Sequence, residues 1–129
     1  PPLPQACSCV NVVVVKETEC LYTLGGYNEG QCSSLNMIQR LSLRKLEWDV
    51  MPLRLPCATS WIACFSKESK VLFVVEAKLY CLNAATEEMN LIKQVGDVRS
   101  FCGPSYYFRG YLYCSYINGA AQRLEVGSL

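Results

Sequence analysis

Histidine is missing from all 129 residues of the chain. That removes the usual base for a serine or cysteine nucleophile, so nucleophilic catalysis is not expected. The paired carboxylates Glu17/Glu19 and Glu87/Glu88 fall in predicted hairpin tips, where solvation accounts for them, and Asp49 and Asp97 stand alone. The chain is therefore not expected to be an enzyme. An excess of charge is lacking too: 12 basic against 11 acidic residues leave a net +1, without the basic footprint of a nucleic-acid binder. No apolar run approaches the roughly 20 residues that cross a bilayer. The longest, residues 10–15, already contains Asn11, and no membrane partner is expected. Residues 1–4, three of them proline, lack the basic-then-apolar order of a signal peptide.

Cysteine is abundant, at 9 residues, but the number is odd and no Cys-x-x-Cys occurs, which argues against a disulfide framework. Cys20, Cys64, Cys81 and Cys114 sit in or beside apolar strand candidates, where a thiol packs as a small hydrophobe. Reduced, structural cysteines are expected, with no metal and no cofactor. A zinc site from Cys7 and Cys9 with Cys20 or Cys32 is the weaker reading, since thiolates suit zinc but this spacing is poor support for it. Gly25-Gly26 is no phosphate cradle, because neither a Lys-Ser/Thr pair nor a helix follows it.

What is present is one domain's worth of chain, 51% hydrophobic and 18% charged, written in β-strand pattern. Residues 10–15 are dense in valine, residues 16–19 make a charged tip, and residues 20–24 run back as a second strand. That strand stops on Gly25-Gly26, which can take positive φ without a Cβ clash and so lets the backbone leave the sheet. A polar loop covers residues 27–34. Residues 35–43 alternate imperfectly and lead through a polar turn to residues 48–51. Helix competes there, since residues 37–47 are rich in Leu, Arg, Lys and Glu, but repetition favours strands. Pro52 and Pro56 bracket the connection out of this first unit.

The second unit restates the first. Residues 67–75 match residues 16–24 in class at one constant spacing, and Leu82 stands to Met89 as Leu41 stands to Trp48. A third copy runs through residues 105–108, the tip Arg109-Gly110, residues 111–116 and residues 122–126, with Leu124 in the place of Leu82. The chain ends before a fourth strand of this copy. The expected fold is all-β, built of four-stranded antiparallel sheets.

An apolar strand closing on Gly25-Gly26, with Trp48 near the start of the outer strand, resembles the kelch repeat of β-propellers, whose period is about 50 residues. The first unit alone keeps both the glycine pair and the tryptophan; the second has Glu76-Ala77 and Met89 there. The resemblance implies a lead-in over residues 1–9, kelch-like blades over residues 10–56 and 57–98, and a partial blade over residues 99–129. Propellers close with about four to eight blades, so this one is incomplete, and further blades or other copies of the chain would cover its flanks. In kelch propellers the rim loops carry recognition. Carried onto this chain, the rim residues are Tyr27, Asn28, Glu29 and Asn118, with Arg54, Arg99 and Ser100 in the connections between blades. The aromatic residues 101–108 and 111–116 are expected to be core between blades. The function implied is a non-catalytic, cytoplasmic protein-interaction or scaffold module whose partners are proteins. The alternative is part of an enzymatic or carbohydrate-binding propeller whose active residues lie outside the chain. Oxidases that bind copper through histidine and tyrosine occur among kelch-type propellers, and the missing histidine argues against that class.

Overall fold

The computed structural model describes residues 1–96, 101–116 and 120–127, and among these the chain forms strands and no helix. The first stretch gives β1 (Val12–Val15), β2 (Cys20–Leu24), the short β3 (Tyr27–Asn28) and β4 (Ser33–Ser34), β5 (Met37–Ser42) and β6 (Glu47–Arg54). Then come β7 (Ala63–Lys67), β8 (Lys70–Val75), β9 (Lys78–Asn83) and β10 (Glu88–Gln94), followed by β11 (Phe101–Phe108), β12 (Tyr111–Tyr116) and β13 (Ala121–Glu125). The sheets are antiparallel and open: β1-β2-β5-β6, β7-β8-β9-β10, β11-β12-β13 and the small hairpin β3-β4. The fold is thus all-β, as expected from the sequence. Helix loses the contest over residues 37–47 because the stretch pairs on both sides, Leu41 with Leu21 and with Trp48, and buries Ile38 completely.

The three large sheets stack face on face in chain order. Val13, Val15, Tyr22, Leu24, Ile38 and Met51 of the first sheet meet Cys64, Val71, Phe73, Val75 and Leu82 of the second. The other face of the second sheet, with Ala63, Phe65, Leu72, Val74, Leu79 and Cys81, meets Leu112, Cys114 and Leu124 of the third. In β8 the side chains therefore alternate between two dry interfaces, which explains an unbroken apolar run where a half-exposed strand would alternate with polar residues. Stacked rings reinforce both layers: Phe65 on Tyr107 across the second interface, centroids 4.4 Å apart, and Phe73 beside Tyr80 within the second sheet. The leading strands β1, β7 and β11 lie side by side, tied by polar side chains. Asn11 Nδ2 donates to the Ile62 carbonyl at 2.9 Å. Ser105 Oγ accepts from the Cys64 N–H and donates to its carbonyl, each at 3.0 Å.

The register corrects the repeat as read from the sequence. Constant spacing set Tyr22 against Phe73, yet Tyr22 and Phe73 face each other across one interface. The tips differ in length: residues 16–19 lie between the pair Val15/Cys20, but only Glu68 and Ser69 lie between Lys67/Lys70. Matching those closing pairs makes Tyr22 the counterpart of Leu72, and Val13 that of Phe65. A one-residue slip moves every side chain of a strand to the other face. The later strands need no correction, because Leu41/Trp48 and Leu82/Met89 are both cross-strand pairs.

Residues 1–9 were expected as a lead-in without a core of their own, and they form a strap across the outward face of the first sheet. Gln39, fully buried, fixes it: its Oε1 accepts from the Gln5 N–H at 2.9 Å and its Nε2 donates to the Gln5 carbonyl at 3.0 Å. Trp48 Nε1 donates to the Pro1 carbonyl at 3.1 Å, and Ser8 bridges Tyr27 in both directions at 2.8 Å. The cross-strand pair beneath the strap is Thr23/Gln39, where the second sheet has Phe73/Tyr80. Polar residues thus stand at the two positions that carry aromatics where a sheet stacks.

Gly25 and Gly26 adopt φ of 63° and 107°. A Cβ on Gly25 would come within 2.3 Å of the Thr59 carbonyl oxygen. The matching turn of the second sheet keeps left-handed backbone without glycine, at Glu76 (φ 51°) and Ala77 (φ 60°). Left-handed backbone costs an L-residue roughly 1–2 kcal/mol, so the two sites should respond oppositely in urea unfolding. Ala77→Gly is expected to raise the unfolding free energy slightly, by about 0.5 kcal/mol after the added chain entropy of glycine, and Gly25→Ala to lower it by about 3 kcal/mol or more. Equal and small effects at both positions would contradict the turn assignment.

Candidate functional site

Tyr27, Asn28 and Glu29 come together where the β3-β4 hairpin meets the strap, and they line a shallow depression with Ala6, Cys7 and Ser8. Glu29 is exposed at its rim. Asn28 is buried and committed internally: its Oδ1 accepts from the Gln31 N–H at 2.7 Å and its Nδ2 donates to the Ala6 carbonyl at 2.8 Å. Asn28 thus ties the hairpin to the strap. Tyr27 is half-buried and carries the bridge to Ser8. Arg54 is exposed at the end of β6, opposite Met37, and does not line the depression. Arg99, Ser100 and Asn118 lie outside the described residues.

The strongest charge cluster joins two sheets. Arg40 places Nε and Nη2 on the two carboxylate oxygens of Asp49 at 3.0 and 2.6 Å, while Nη1 reaches Glu87 in the turn before β10 at 2.7 Å. A bidentate pair of this kind fixes orientation as well as charge. The guanidinium holds the Asp49 carboxyl below its ordinary range, the hydrogen bond contributing most. These groups satisfy one another, which suits a rivet between sheets.

The described cysteines are all free thiols. Burial pushes Cys64 up to about 12 and Cys114 up to about 11, so neither supplies a thiolate near neutrality. Among the described residues no three Cys, Asp or Glu side chains gather in a way that could hold a metal, and the set Cys7, Cys9 and Cys20 or Cys32 is not assembled.

The largest unexplained feature is the outward face of the third sheet. Tyr106, Phe108, Tyr111 and Tyr113 share it as cross-strand pairs Tyr106/Tyr113 and Phe108/Tyr111. Tyr106 is 67% exposed and Phe108 48%. The Arg109 guanidinium sits 5.1 Å from the Phe108 ring centroid, and that of Arg123 4.5 Å from Tyr111. The sequence reading assigned the whole aromatic cluster to core. Strand alternation divides it: Tyr107, Leu112 and Cys114 turn inward onto the second sheet, and the neighbours between them turn out. The period of two was visible in residues 105–114, but which face would lack a covering layer was not. In the second sheet the matching face, with Phe65 and Leu72, is the one that stacks on the next sheet.

No family model and no curated protein matches the chain.

Two measurements follow from this geometry. Because Asp49 titrates lower when folded than when unfolded, its stabilising contribution is present above the ordinary carboxylate range, about pH 4, and is lost as pH falls through the depressed value. Asp49→Asn should flatten that acid limb of stability against pH by less than about 1 kcal/mol, since the pair is half-exposed; an unchanged limb would discount the pair. A thiol reagent at mildly alkaline pH should modify exposed Cys32 promptly, and Cys64, Cys81 and Cys114 only on unfolding, as peptide mass mapping would show.

Proposed function

We propose that this chain is a non-catalytic protein-interaction module of the kelch kind, which contributes stacked sheets to a larger β-assembly through the aromatic face of its third sheet. That face carries the reading. Tyrosine, phenylalanine and arginine are the residues enriched at protein interfaces, where rigid rings bury much area at little entropic cost. Four rings and two guanidiniums on one flat strand surface fit a partner with a flat apolar surface of its own, such as a further sheet. The opposite end of the stack is covered in part by the strap, which makes the third sheet the receptive end. The glycine pair at residues 25–26, the Trp48 position and the repeated sheet unit support the kelch assignment. Free thiols in every described cysteine support a reducing, cytoplasmic setting.

Sedimentation velocity over a concentration series tests the proposal, with the double variant Tyr106→Glu/Phe108→Glu as control. The wild-type chain is expected to self-associate weakly as concentration rises, or to bind a hydrophobic-surface dye, and the double variant to lose both behaviours with an unchanged melting temperature. A wild-type chain that stays monomeric and dye-silent at high micromolar concentration would overturn it. Saturable glycan binding that the same variant abolishes would instead favour the carbohydrate-binding alternative.

A further inference from the structure

We draw no further inference here: the strongest candidate, the side-chain cluster beneath the strap in which the buried Thr23 hydroxyl lacks a hydrogen-bond partner while its cross-strand neighbour Gln39 bonds Gln5 and the Cys7 thiol, carries nothing, since nothing in the structure shows which group would meet that hydroxyl.

Discussion

The inner strand β8 of the second sheet has both faces out of water, and the rest of the molecule depends on that. Every side chain at residues 71–75 is buried, odd positions against the first sheet and even positions against the third. A fully buried Val, Leu or Phe contributes about 1.5–3 kcal/mol, so this strand holds the layers on either side of it in place. The ties between the leading strands through Asn11 and Ser105, and the Arg40 rivet at the rim, act on an arrangement those apolar contacts already fix. They set angle and register more than they set stability, as exposed pairs and single hydrogen bonds usually do.

The valine-rich residues 10–15, the apolar residues 71–75 and the aromatic alternation of residues 105–114 announced strands, because period and β-branching are local properties written in the chain. The glycine pair at residues 25–26 was legible for the same reason: positive φ and a close carbonyl demand a residue without Cβ. Register was not legible. Lys16 and Lys67 look alike, but the first tip holds residues 16–19 and the second only Glu68 and Ser69, and a turn's length shows in pairing rather than in composition. The strap was hidden for a different reason. Its hold on the first sheet depends on Gln39, 34 positions from Gln5, and no local pattern reports a contact of that range. The internal bonds of Asn28 were hidden as well, because an asparagine in a polar loop looks the same whether it faces a partner or its own chain.

The two ends of the stack are unlike. At the first sheet, Thr23 and Gln39 replace the aromatic pair that a stacked neighbour would meet, and the strap lies over them. At the third, rings and guanidiniums point outward and no further layer is present among the described residues. Arrays of repeated units need polar terminal surfaces to remain soluble. Among the described residues only the first sheet has that treatment, and the outward face of the third keeps its rings exposed.

Gln39 lends the strap a side-chain amide in place of a neighbouring backbone. Ladder bonds between strands break as a row, whereas this hold is made of separate contacts: one amide, one indole, one asparagine, an isolated bridge and the Trp61 N–H on the Cys9 carbonyl. Residues 1–9 are therefore held by scattered single bonds, while each layer beneath is held by whole ladders and by apolar contact.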